Sequence, residues 1–242
     1  MKEIIHLGKW SEERVNDLLK EASMIHSPGE RIDFLSVQFL NTNYQESTLT
    51  GDGHTSEVFV INLEGVDCYT FIEYMEAMRR SGSFDEFRKR LPFVRYRFGN
   101  IAYENRNHFF TDWKAFNAEF IVDVTQYIGA YITKDVSKRL NEKHDGTLFL
   151  PSVACRLREV TYIPSLYVDD EVMANLRTGD YAGIYSREDG LDVSHVGIVI
   201  RKEDGVFLRH ASSLKKHRKV IDEDFRGYLK AKAGIIVLRP RD

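Results

Sequence analysis

A chain of 242 residues can bury a full hydrophobic core, and 43% hydrophobic against 29% charged residues reads as globular rather than disordered or fibrous. A net charge of -3 with no long basic run excludes a general nucleic-acid binder, and no apolar run reaches the length of a membrane span. The two cysteines lack zinc-type spacing, no cofactor motif is present, and nothing after Met1 has the apolar core of a signal peptide. A cytoplasmic monomer is expected, or a periplasmic one if a leader has been removed.

In chain order, Ser11 can cap a helix through Val15, Leu18, Leu19, Ala22 and Ile25. Ser27-Pro28 then opens a second, with Ile32, Leu35, Phe39 and Leu40 on its apolar side. A polar loop through Gly51-Asp52-Gly53 leads to a strand at 57–62. Asp67 is the next N-cap, and Phe71, Ile72, Met75 and Met78 recur on one face of an amphipathic helix that stops at Gly82. Cys68 therefore lies in a first helical turn, where unpaired N–H groups and the helix dipole favour a thiolate. The alternative is a small buried core residue.

Phe84–Leu91 reads as helical. Residues 95–113 mix aromatic rings with polar side chains, a composition found in sugar and peptide pockets and also in plain mixed cores. Residues 115–165 combine a β segment (118–124) with charged, helix-like stretches. Cys155 has no acid–base partner nearby in sequence and reads as structural.

The last 70 residues are β-rich: Tyr181–Ser186, Ser194–Ile200, a turn at Lys202-Glu203-Asp204-Gly205, Val206–Ser212 and Gly234–Leu238. Residues 215–219 read as a solvated basic loop. A hairpin closing around 202–203 sets His195 opposite His210, roughly 5 Å apart on one face. An imidazole to take the thiol proton, and a second group to orient it, are what cysteine catalysis requires. A three-ligand metal site is the competitor, but no acidic general base shares these motifs, so no metal is expected.

Asp67-Cys68, Gly179-Asp180, Ser194-His195-Val196-Gly197-Ile198 and His210-Ala211-Ser212 together resemble the NlpC family of papain-like cell-wall hydrolases. The resemblance implies an α+β fold with an antiparallel sheet packed on the helix that carries Cys68. It also implies Cys68 as nucleophile, His195 as base and His210 as its orienter. Where the commonest pattern continues with Ser-Gly-Phe, this chain has Tyr69-Thr70-Phe71, and the separation of Cys68 from His195 is long. Both features are similar to the N-acetylmuramoyl-L-alanine amidase-like branch, as are the stretches Asn62–Glu73, Arg95–Arg97 and Arg106–Trp113.

That resemblance implies hydrolysis of the lactyl–L-Ala amide in peptidoglycan fragments, in cell-wall recycling. It implies one catalytic domain over 1–242: a helical front end (1–56), a nucleophile strand–helix (57–82), an insertion lining the substrate site (83–175) and β hairpins (176–242). Substrate contacts are expected from Asp67 and Tyr69, and from Arg95, Arg97, Asn107, His108, Asp112 and Trp113 in the insertion. A γ-D-glutamyl–diamino-acid endopeptidase, an acyltransferase and a non-catalytic muropeptide-binding domain are the rival expectations.

Overall fold

The computed structural model describes residues 3–241. After β1 (Glu3–His6) come α1 (Glu12–Ser23) and α2 (Pro28–Val37). Both start where their serines predict, with Ser11 accepting from the Arg14 amide and Ser27 from that of Glu30. Short strands β2 (Asn43–Tyr44), β3 (Phe59–Asn62) and β4 (Gly65–Val66) lead into α3 (Cys68–Arg79). Then follow α4 (Phe84–Arg95), α5 (Phe110–Phe116), β5 (Ile121–Asp123), α6 (Thr125–Gly129), β6 (Lys134–Leu140) and β7 (Arg156–Pro164). The chain closes with α7 (Asp170–Asn175), β8 (Tyr181–Tyr185), β9 (Val193–Lys202), β10 (Gly205–Ser212), β11 (Lys219–Asp224), α8 (Phe225–Leu229) and β12 (Gly234–Pro240).

The result is a mixed α+β fold. One large sheet runs β4-β2-β11-β10-β9-β8-β12-β7-β6, with β5 also paired to β12, while β1 and β3 form a separate parallel pair. Its centre, β11 to β12, is antiparallel throughout. No helix among the described residues is long and apolar enough to cross a membrane.

α3 is the helix on which the rest is built. Instead of one apolar face it has ten buried residues, Thr70 through Arg79, so it is a core helix enclosed on all sides. Its buried charges are each answered. Glu73 takes Arg95 Nε at 2.7 Å, and Glu76 takes both the Arg79 fork and the Tyr181 hydroxyl at 2.8 Å. Arg79 also donates to the carbonyls of Phe120 and Arg241, each at 3.0 Å. These pairs tie α3 to α4, to β8 and to the chain's end.

Two expectations are corrected here. The charged stretches within 115–165 are largely strands, β6 and β7, paired antiparallel from Lys134↔Tyr162 to Leu140↔Arg156. Long Lys, Arg and Glu side chains on the solvated face hid the two-residue period. Lys219, read as the end of a basic loop, opens β11, which borders β10 along its whole length to Asp224.

The hairpin register also differs. Lys202 pairs Gly205 and Ile198 pairs Arg209, so His210 lies beside Gly197 rather than beside His195. The shift is two residues, and because side chains alternate with period two, both histidines keep the same face. They approach on the diagonal. Gly197 permits it: a Cβ there would come within 2.8 Å of Leu208 Cδ1 and 3.0 Å of His210 Cβ.

Candidate active site

Asp67 ends β4's extended backbone and caps α3, its Oδ1 accepting from the amides of Tyr69 (2.9 Å) and Thr70 (2.7 Å). Thr70 Oγ1 returns the bond to the Asp67 amide at 3.1 Å, completing a capping box. Of the first-turn amides this leaves that of Cys68 outside the cap; with the amides of Val196 on β9 and of Tyr69 it favours an anion on the sulfur. α3 packs across β9 and β10, and the Cys68 sulfur lies by the amide of Val196, the residue after His195. Cys68 is half-buried and forms no disulfide; Cys155 is likewise free.

The thiol departs from the helix-start expectation. Burial and then the Asp67 carboxylate push it up to about 12, outweighing the amides that favour its anion. Burial is the main cause, and the cap adds to it because the residue at the helix N-terminus is a carboxylate one position away.

His195 Nε2 lies 2.7 Å from His210 Nδ1, with the rings perpendicular. His210 is buried, and its Nε2 lies 3.3 Å from Glu223 Oε2 on β11. Glu223 is diagonal to His210 just as His210 is to His195, so the three side chains step across three neighbouring strands on one face. The chain has a direction. A carboxylate can only accept, so His210 Nε2 carries the hydrogen and its Nδ1 accepts from His195 Nε2–H. The neutral His195 then has its lone pair on Nδ1, the nitrogen free to take a proton.

Burial, with further contributions from His210 and Lys232, pushes His195 down to about 3, and burial also lowers His210. At neutral pH the pair is therefore a thiol and an uncharged base. A β-bulge at Ser194, between the Ile184–His195 and Tyr185–Val193 pairings, adjusts the aim of β9 at this point.

Two tyrosines that the sequence did not single out complete the surroundings. Tyr228 on α8 packs 5.3 Å from the His210 ring and 6.3 Å from that of His195. Tyr44 on β2, paired to Val66, is pushed up to about 12, chiefly by burial, with Cys68 and Asp67 close by. Neither lies in a motif, and Glu223 lies in an acidic run that gives no hint of a partner on β10.

The expected substrate contacts of the insertion turn inward instead. Arg95 is fully buried on Glu73 and on the Val60 carbonyl (2.7 Å). Asn107 is buried with its amide on the Val94 carbonyl at 3.1 Å, and Trp113 is buried between Phe110 and Tyr181. Asp112 is buried beneath Arg156, Arg158 and Arg97. These four have no surface to offer a ligand. Polar and aromatic residues mix here because the insertion carries its own charged core.

The remaining four are half-buried. His108 bonds the Tyr103 carbonyl at 2.8 Å and is pushed down to about 4 by burial. Arg97 stacks over Phe116, its carbon 5.3 Å from the ring centroid. Tyr69 buries its hydroxyl near Asp192, Glu73 and Asp112, well above the ordinary phenol range. Asp67 is occupied by the cap.

Comparison with known proteins fits this arrangement. A search of curated proteins gives no match. Among solved structures, a protein from Legionella pneumophila is similar with a TM-score of 0.80 at 22% identity, over 96% of this chain and 94% of that one. An N-acetylmuramoyl-L-alanine amidase from Bacteroides uniformis is similar with a TM-score of 0.74 at 28% identity, over 89% of this chain and 99% of that one. The profile of the AmiA-like family, described as N-acetylmuramoyl-L-alanine amidase-like, matches residues 34–235. The chain therefore belongs to the AmiA-like, N-acetylmuramoyl-L-alanine amidase-like family.

Proposed function

We propose that this protein is a cysteine-dependent N-acetylmuramoyl-L-alanine amidase with a papain-like NlpC core, acting as one catalytic domain on peptidoglycan fragments in cell-wall recycling. The observation that carries the reading is the hydrogen-bonded line His195, His210, Glu223, whose tautomers leave His195 Nδ1 as a base, with the Cys68 sulfur by the amide of Val196, the residue after His195. Family membership supplies the amide, and a similar amidase structure supports it.

In this reading Cys68 sulfur attacks the lactyl carbonyl carbon while its proton passes to His195, so that no free thiolate has to be held in the resting site. The Cys68 amide, left free by the Asp67 cap, donates to the carbonyl oxygen as it gains charge. His195 returns the proton to the alanine nitrogen as the C–N bond breaks. Water then attacks the thioester, giving its proton to His195, and the muramoyl acid leaves with the thiol restored.

Mass spectrometry of digested muropeptide tests the bond assignment. A released peptide that begins with L-Ala, absent with Cys68→Ala, is expected. A released peptide that begins with diaminopimelate, with L-Ala-D-Glu left on the sugar, would reassign the protein to the endopeptidases, and no product from either protein would leave only a binding role.

A further inference from the structure

Beyond the catalytic line lies a cleft of about 510 Å³ between the end of β7, α8 and the start of β12. Its lining includes Lys134, Arg187, Arg226, Lys230 and Lys232 and no carboxylate. Arg226 is engaged by Asp170 at 2.6 Å. The other four have no ion-pair partner among the described residues, and Lys134, Arg187 and Lys230 are exposed. One wall is the Tyr162 ring, held rigid by stacking on Tyr185 with centroids 3.7 Å apart.

The cleft approaches the histidine pair through Lys232 in its lining and the neighbouring Tyr228. Lys232 Nζ lies 4.8 Å from the Tyr228 ring centroid, and that ring packs on both His210 and His195. Lys232 also helps to lower both imidazoles, as a cation close to them must. A ligand whose amide reaches Cys68 can pass Tyr228 and end among these cations.

We infer that this cleft binds the carboxylate-bearing peptide half of the substrate, downstream of the scissile amide. The inference rests on the amidase reading. The muramoyl half has its lactyl carboxyl tied up in the amide and is uncharged, whereas the peptide half ends in at least one carboxylate. Four unpaired cations with no anion among them complement only the second. The aromatic wall covers the aliphatic part of the peptide.

The test measures binding to full-length Cys68→Ala protein by titration calorimetry. The probe is N-acetylmuramoyl-L-Ala-D-Glu-diaminopimelate, with its carboxylates free or all amidated. The free acid is expected to bind at least about tenfold more tightly, a difference worth about 1.4 kcal/mol. Lys134→Glu with Arg187→Glu should erase that difference. Lys134→Gln with Arg187→Gln, which adds no repulsion and perturbs folding less, should reduce it. Equal affinity for acid and amide in the Cys68→Ala parent would overturn the cleft assignment. The muropeptide digest separates the two readings. Lactyl–L-Ala cleavage without charge-dependent binding sinks the cleft and spares the amidase; charge-dependent binding without that cleavage does the reverse.

Discussion

At the scale of single residues, Cys68 is governed by a competition between helix-end amides and the carboxylate that caps them. Because Asp67 and burial prevail, the resting thiol keeps its proton. Ultraviolet thiolate absorbance, wild type minus Cys68→Ser, should show no thiolate between pH 6 and 8. A full thiolate signal at pH 7 would mean a resting ion pair with His195. The relay makes a second prediction. His210→Ala should lower kcat by roughly 10²- to 10⁴-fold, the range of a disturbed general base, while leaving measurable turnover. Glu223→Gln can turn an N–H towards His210 and reverse the hydrogen-bond direction, moving the hydrogen of His195 to Nδ1. A loss of about tenfold or more is expected, milder than the cost of a wrong tautomer when a carboxylate touches the base directly. Nitrogen-15 shifts of the His195 ring in wild type and variant would read the tautomer itself.

At the scale of elements, the His195–His210 diagonal depends on how closely β9 and β10 approach. Gly197→Ala puts a methyl against Leu208, the Arg209 carbonyl and His210. Forced overpacking of this kind costs roughly 1–3 kcal/mol, and here it should also part the two imidazoles. Activity should fall further than stability alone explains, checked by comparing kcat with denaturation midpoints. Arg95 belongs to the same scale, because its partner is the helix that starts with the nucleophile. Arg95→Met strands Glu73 as a buried, unpaired charge and should cost roughly 3–5 kcal/mol, and adding Glu73→Leu should recover much of it. KM for the folded protein should barely change. A large rise in KM with unchanged stability would restore Arg95 to a substrate-binding role.

At the scale of the whole molecule, stability should depend on acid through imidazoles held inside it uncharged. Burial pushes His195 down to about 3 and His108 down to about 4, against an ordinary value of 6.5. Between those values and 6.5 the unfolded chain binds protons that the folded chain refuses. Their stabilisation is complete above about pH 6.5 and is lost as pH falls below it. Urea midpoints should drop from pH 7.5 to 4.5, and drop less in His108→Gln. An unchanged midpoint across that span would mean that both rings charge freely in the fold.

The sequence alone carried the local structure of this protein. Caps at Ser11, Ser27 and Asp67, turns at Gly179 and Gly205, and the strands β8 to β10 follow from propensity and short-range hydrogen bonding, which neighbouring residues largely decide. The meeting of His195 and His210 was legible because a hairpin leaves few alternatives, and because a two-residue register error preserves the face. What lay beyond reach was set by contacts between distant segments. Glu223 acquires its meaning from β11 lying against β10, Tyr44 from β2 pairing with β4, and Tyr228 from α8 folding over the histidines. The same cause sent Arg95, Asn107, Asp112 and Trp113 inward. Whether a polar side chain meets a ligand or a buried counter-charge depends on which segments surround it, and the thiol's preference for its proton follows from burial that only the folded chain creates.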